Sequence, residues 1–427
     1  MSSASTQQPD TGDAHDNAVH VIAIVGASAA GVSAAFTLRR EGFTGRVVLI
    51  DADPELPYER PPLSKALNGS SDELCRPIAP AADYHDNDIE LRLGTRVVSL
   101  DPHTRTLGFD DGGALEADAV LLTAGARPRE AAVPGAALQH ITTLRTLDDA
   151  RRLQARLDRR DPIVVIGGGF IGLEAAAAVR SLGHAVTVVE AGPLPLAAVL
   201  GPDLGRRITG LHAQEGVEIL TDRTVTRFSG TGSVSSVELS SGESLPAGAV
   251  IVGIGVIAND ELARAAGIDT AGGVVVDRYG RTSSPWVFAA GDVACQPHPA
   301  LVTPGRIEHW DNAIKQGAAT ARTILARPEE YADLPYFWSD QYRHKIQMYG
   351  RPAATDEVVV REGPSASTFT AAWIRDSQVV AGLGLNSPKD LRVLRSLIER
   401  RAPVTADQLS DPQVDLRQLA SKAAVAR

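Results

Sequence analysis

Pro162 to Glu190, PIVVIGGGFIGLEAAAAVRSLGHAVTVVE, constrains this chain more than any other stretch. It reads as a short buried strand, a glycine turn, a helix and a second strand that ends in an acid. Gly167, Gly169 and Gly172 hold the G-x-G-x-x-G positions. The first glycine permits the tight turn and the second lets the backbone approach a pyrophosphate. The third lets the helix pack on its strand, and the helix N-terminus offers N–H groups to phosphates. Glu190, at the end of the second strand, is placed to accept hydrogen bonds from an adenosine ribose. Without the acid, such a turn is only a close strand-to-helix junction; the spacing here favours a dinucleotide site.

The same architecture occurs earlier, in VHVIAIVGASAAGVSAAFTLRREGFTGRVVLID. A strand at 20–25, a turn at 26–31, a helix at 32–41 and a strand at 47–50 lead to Asp51. The turn reads G-x-S-x-x-G, with Gly26, Ser28 and Gly31 in the three places. Serine is small enough to keep the backbone near a phosphate, and its hydroxyl is a donor. The second unit follows about 140 positions later, a repeat at the level of motif. An enzyme of one dinucleotide needs only one unit, so two dinucleotides are the economical reading.

At 427 residues the chain exceeds one ordinary core, and two or three domains are expected. The net charge of -10 argues against a nucleic-acid or anionic-membrane surface. Residues 1–18 hold no lysine, arginine or apolar run, which predicts a disordered tail rather than a targeting segment. No apolar run reaches spanning length without a glycine turn or a charge, so no transmembrane helix is expected. Cys75 and Cys295 form no C-x-x-C, which fits a reducing cytoplasm.

Between the repeats, YERPPLSK places Pro62 where it can begin a helix carrying Lys65, which without context reads as a solvated lysine. Val217 to Leu245 reads as a three-stranded excursion. From about 333 the texture changes to aromatics and alternating strands, ending in the arginine-rich DLRVLRSLIERR. His309 and His344 have no metal-ligand spacing to a second ligand and read as surface or core residues, so no metal is expected. A carboxylate at Glu190 with no cation among the next two residues favours NADH over NADPH.

The ordered set GASAAG, PYERPPLSK, TAGARP, GGGFIGLE, GIGVIAND, FAAGDVA, IEHWDNA and PYFWSDQ resembles the FAD-dependent NADH:ferredoxin reductases of bacterial cytochrome P450 and ring-hydroxylating dioxygenase systems, putidaredoxin-reductase-like flavoproteins. The resemblance implies an α/β fold with two Rossmann-like, glutathione-reductase-like dinucleotide-binding domains and an α+β C-terminal domain. The FAD-binding domain would span residues 19–129 and 258–332, the NADH-binding domain 130–257, and the C-terminal domain 333–427. It implies that Gly26, Ser28, Ala30 and Gly31 meet the FAD pyrophosphate and that Asp51 meets its ribose. Val97 would lie by the adenine and Arg145 near the dinucleotide, with Asp292 on the ribityl chain and Trp310 against the isoalloxazine. Gly167, Gly169, Gly172 and Glu190 would bind NADH, with Gly255 and Glu308 near its nicotinamide. Lys65 and Glu174 would face each other at the reactive edge of the flavin, as catalytic groups or as an ion pair locking the lobes.

The implied activity is hydride transfer from NADH to FAD and one-electron transfer to an acidic iron–sulfur ferredoxin, by a monomer or dimer of class EC 1.18.1. An acidic partner calls for a local basic patch, with Arg76, Arg306, Arg343, Lys345, Arg392 and Arg395 as candidates. An NADH oxidase or quinone reductase on the same fold is one alternative, disfavoured because no cysteine matches a redox position. An NADH-responsive binding module is another.

Overall fold

The computed structural model describes residues 19–425 except 68 and 70; the tail expected at 1–18 lies outside the described residues. The first sheet grows from strand β1 (Val21–Val25), followed by helix α1 (Ala29–Arg40), strand β2 (Arg46–Ile50), the four-residue helix α2 (Pro62–Lys65), β3 (Ile89–Arg92) and β4 (Ala119–Leu122). A second parallel sheet is built from β5 (Ile141–Thr142), β6 (Ile163–Ile166), α3 (Phe170–Ser181), β7 (Val186–Val189), α4 (Pro202–Gln214), β8 (Glu218–Leu220) and β9 (Ala249–Val252). The chain then returns to the first sheet as β10 (Val287–Ala289) and runs into α5 (Trp310–Ile324). The sheet orders are β10-β4-β1-β2-β3 and β8-β7-β6-β9-β5.

Both central strands are flanked on each side by parallel partners: β1 by β2 and β4, β6 by β7 and β9. Strands buried on both faces need continuous apolar runs, and VIAIV and IVVI supply them. Each parallel sheet carries a three-stranded antiparallel ribbon, at 97–116 and at 225–246. The excursion expected over Val217 to Leu245 is therefore shorter than the sequence suggested, because Glu218–Leu220 pairs with β7.

The helix expected at 32–41 begins at Ala29 instead, inside the glycine turn. Ser28 is its N-cap with extended backbone, so the last residues of the motif already form the first helical turn. Helix α5 lies directly on α1: a Cβ on Gly317 would sit 2.2 Å from the Ala30 carbonyl oxygen.

The C-terminal region is an antiparallel sheet of β11 (Tyr336–Gln341), β12 (His344–Gly350), β13 (Glu357–Glu362), β14 (Phe369–Arg375) and β15 (Gln378–Leu385), ordered β11-β12-β15-β14-β13. Helix α6 (Pro388–Arg400) covers it with Leu391, Leu394 and Leu397. The arginine-rich helix does not end the chain as expected. Helices at Ala406–Ser410 and Leu416–Val425 follow, and Leu409, Leu416 and Ala420 share a core with α6. One core cluster joins side chains of the second sheet, such as Val165 and Val188, to C-terminal ones such as Trp373 and Leu383.

Candidate functional site

The two glycine turns are built alike down to single atoms. Gly26 and Gly167 have φ of 113° and 102°, a region that disfavours side chains. A Cβ on either would meet a carbonyl oxygen at 2.4 Å, of Thr123 or of Gly253. The third positions are equally tight, because a Cβ on Gly31 or Gly172 would lie 1.9 or 2.1 Å from the carbonyl oxygen of the first glycine. The middle position differs: a Cβ on Gly169 would meet nothing within 4 Å. Neither α1 nor α3 has a side-chain cap or an acidic residue in its first turn. Their free N–H groups and positive ends are thus left for an anion, in space that a larger residue at 169 would fill.

The acids match as well. Asp51 Oδ2 accepts from the Ala27 N–H at 2.6 Å and Oδ1 from the Asp53 N–H at 2.9 Å. Glu190 Oε2 accepts from the Gly168 N–H and Oε1 from the Gly192 N–H, both at 2.7 Å. Each carboxylate bridges its own glycine turn to the loop after the second strand.

A cavity of about 580 Å³ runs between the turns, a size that suits a cofactor site. At its centre Lys65, brought in by α2 from the first lobe, meets Glu174, from α3 of the second. Lys65 Nζ lies 2.9 Å from Glu174 Oε1, and the Ser64 hydroxyl donates to Oε2 at 2.6 Å. Strand β11 completes the surroundings: Lys65 Nζ is 3.6 Å from Asp340 Oδ2, donates to the Trp338 carbonyl at 3.4 Å and stands 5.2 Å from the centre of the Trp338 ring. Glu174 is 6% exposed and Lys65 16%, so the pair is sheltered while its cation still borders the cavity.

Towards the far wall, Arg145 Nη2 faces Asp292 Oδ2 at 3.4 Å, and Arg60 donates to the Arg145 carbonyl and to the Ser28 hydroxyl. Burial lowers the pKa of the Arg145 guanidinium, against the pull of Asp292. Burial raises that of Glu308, opposed first by Arg306, whose Nη2 is 2.8 Å from Glu308 Oε1. His309 is the N-cap residue of α5; burial, with Arg351 adding to it, pushes its pKa down to about 4.

Of the residues singled out in the sequence, Ser28, Ala30, Lys65, Arg145, Gly169, Glu174, Gly255, Asp292, Glu308 and Trp310 line this cavity. Gly26, Gly31, Gly167 and Gly172 shape the turns behind it. Asp51 lines a small adjoining pocket that shares Ser28 and Arg60 with the large one. Glu190 holds the second turn from outside the lining. Val97, half-buried in the first ribbon, lines neither pocket.

Arg306 is displaced from its expected setting. Grouped with the exposed docking cations, it is instead 18% exposed, lines the cavity and donates to the Asp292 carbonyl at 3.1 Å. Sequence reasoning passed over Ser64, Arg60, Trp338 and Asp340 as site residues, although each sits inside a quoted motif. His309 also lines the cavity, its Nδ1 buried without a hydrogen-bond partner, and only its place beside Trp310 signalled this. His344 is buried, with its Nδ1 2.9 Å from Asn386 Nδ2. Cys75 and Cys295 form no disulfide with each other. Among the described residues no group of three His, Cys, Asp or Glu could hold a metal ion, and no helix is long and apolar enough to cross a membrane.

Comparison with known proteins agrees with this geometry. The family model described as pyridine nucleotide-disulphide oxidoreductase matches residues 20–317, and the one described as reductase C-terminal matches 336–420. Rhodocoxin reductase of Rhodococcus erythropolis is 36% identical over 398 residues, 93% of each chain. The ferredoxin--NAD(+) reductase subunit of the benzene 1,2-dioxygenase system of Pseudomonas putida is 34% identical over 400 residues, 93% of this chain and 97% of that one. The reductase in the crystal structure of the covalent putidaredoxin reductase–putidaredoxin complex superposes with a TM-score of 0.91 at 32% identity, covering 95% of this chain and 99% of that one. The likeness thus runs over more than nine-tenths of this chain, at 32–36% identity, and the chain belongs to the FAD-dependent NADH:ferredoxin reductases of the pyridine nucleotide-disulphide oxidoreductase family.

Proposed function

We propose that FAD lies along the first glycine turn and NADH along the second, their reactive ends meeting beside Lys65 and Glu174. The observation that carries this reading is the single cavity touching both turns with one ion pair between them. Bound there, FAD would supply the hydride acceptor for NADH and the one-electron donor for the partner. The protein's part is position and field. The N–H groups of α1 and α3 would receive the pyrophosphates, Gly169 would leave them room, and Asp51 and Glu190 would accept from ribose hydroxyls with the lone pairs their backbone donors leave free. A carboxylate at 190 repels a 2′-phosphate, which favours NADH over NADPH. Lys65 supplies positive charge where negative charge arrives, and Glu174 with Ser64 fixes the ammonium in place. Trp310, Asp292 and Arg145 wall the flavin end, and Glu308 serves the nicotinamide end.

The electron acceptor is an acidic iron–sulfur ferredoxin of a cytochrome P450 or dioxygenase system, docking on exposed cations of the C-terminal region. Arg343 and Lys345 are 76% and 54% exposed, Arg395 is 47% exposed over the Tyr349 ring, and Arg392 lies exposed on the same helix. A cytoplasmic setting fits two cysteines that do not pair with each other.

The test is NADH consumption by the purified yellow protein, with and without a [2Fe–2S] ferredoxin and cytochrome c. Ferredoxin-dependent cytochrome c reduction is expected. NADH use that ignores ferredoxins but consumes oxygen or a quinone points to an oxidase, and no turnover with any acceptor to a binding module.

A further inference from the structure

Asp340 stands between two lysines. Its Oδ1 lies 3.8 Å from Lys345 Nζ and its Oδ2 3.6 Å from Lys65 Nζ, and Lys65 continues to Glu174 at 2.9 Å. Charges alternate along this line, and exposure falls from 54% at Lys345 through 39% at Asp340 and 16% at Lys65 to 6% at Glu174. The line therefore leads from the docking face to the centre of the cavity. Among the described residues no third cation lies within ion-pair distance of Asp340. Nearby charges are committed elsewhere: Asp311 to Lys315 at 2.7 Å, and Arg343 to Glu215 at 3.4 Å.

The distances differ in kind. Lys65–Glu174 is a closed hydrogen bond, whereas both contacts of Asp340 are too long for one. Asp340 is thus shared by two ammonium groups and held tightly by neither. The cations are also unusual for this chain, which has 37 arginines and five lysines: Lys65, Lys315, Lys345, Lys389 and Lys422. Two of the five converge on one carboxylate. A guanidinium there would fix a rigid fork, but an ammonium is a compact charge on a rotatable stem and can change partner.

We propose that Asp340 is a positioning residue that carries the state of the docking face inward. A carboxylate on the partner draws Lys345 away, and Asp340 closes on Lys65. Lys65 then shares its charge between two carboxylates, and the cavity becomes less positive when the partner is seated. A less positive site holds electrons less strongly, so docking itself favours their release. This rests on the reading that the face around Lys345 receives an anionic partner.

The test is NMR on the full-length protein labelled with [13Cε]lysine, in which five side chains give signals and Lys65→Arg and Lys345→Arg assign the two of interest. A decaglutamate peptide is the anionic probe. In the unaltered protein the Lys345 and Lys65 signals are expected to shift together, with the same midpoint. In Asp340→Asn the Lys345 shift persists and the Lys65 shift is lost, and Asp340→Glu restores it. Lys345→Gln, at an exposed position, abolishes the Lys65 response and serves if Asp340→Asn fails to fold. A Lys65 signal that stays still while Lys345 moves, that moves equally in Asp340→Asn, or that stays still along with Lys345 overturns the proposal. Visible absorbance of the same samples, read before and after NADH, tests separately whether the protein holds a reducible flavin.

Discussion

Gly169 and Gly172 sit three residues apart in one motif, yet substitution acts on them through different physics. Alanine at 172 would place a carbon 2.1 Å from the Gly167 carbonyl oxygen, so the turn must open and the protein lose stability. Alanine at 169 enters empty space on a backbone with φ of -76°, so the melting temperature is expected to hold while the KM for NADH rises on the order of tenfold. Thermal melts and steady-state kinetics on both variants check the contrast; equal loss of stability would remove Gly169 from the ligand site. At the ion pair, Glu174→Gln leaves Lys65 sheltered with only the longer contact to a carboxylate, that of Asp340. A cost of about 2 kcal/mol in urea unfolding is expected, below the range for fully buried pairs because Lys65 keeps some access to water. NADH-dependent flavin reduction should slow in the same variant, measured by stopped flow.

At the scale of elements, the clasp between the second lobe and the C-terminal sheet is polar at its heart. His212 of α4 is fully buried, with its Nε2 2.8 Å from Gln341 Oε1 and its Nδ1 3.2 Å from the Tyr342 hydroxyl. Nearby on α4, Arg207 pairs with Glu362 of β13 and stacks 5.1 Å from the Phe369 ring centre. Replacing His212 by leucine strands the Oε1 of Gln341, a residue 0% exposed whose Nε2 still donates to Ser339, and should cost about 2 kcal/mol in urea unfolding. The repeat of strand, turn, helix and acid could be read from the sequence because each piece is local: apolar runs of four or five residues, glycines at fixed offsets, an acid one strand later. Pro62 likewise announced the helix that carries Lys65. What could not be read there is long-range. Trp338 and Asp340 reach Lys65 from more than 270 positions away, and nothing local distinguishes them from ordinary strand residues. Arg306 looked like any surface arginine, since only the fold brings Glu308 and the Asp292 carbonyl around it. The helices after residue 400 escaped because their apolar faces are short and gain meaning only against α6.

For the whole molecule, the buried histidines set the response to acid. Burial lowers the pKa values of His212, His298, His309 and His344, to about 4 at His309 against 6.5 in the unfolded chain. The unfolded state therefore binds more protons below pH 6.5, and stability falls as pH drops from about 6.5 towards 4. His309→Asn should remove part of that slope, by up to about 3 kcal/mol from the shift at this one site. Urea midpoints across that interval measure it, and identical slopes in both proteins would count against a neutral His309. Association with a ferredoxin should fall when Arg343 and Lys345 are both changed to glutamate, and more steeply at low salt, while NADH–ferricyanide turnover is kept. Arg306 does not belong in that experiment, since reversing it would disturb Glu308 inside the cavity. Finally, the groups that meet at Lys65 come from three segments of the chain: Ser64 and Lys65 from the first, Glu174 from the second, Trp338 and Asp340 from the third. Chimaeras between this reductase and its relatives are therefore limited by a knot rather than by domain edges. A C-terminal region exchanged at residue 333 brings a foreign residue to position 340, and the hybrid keeps its charge balance only where the donor also places a carboxylate there.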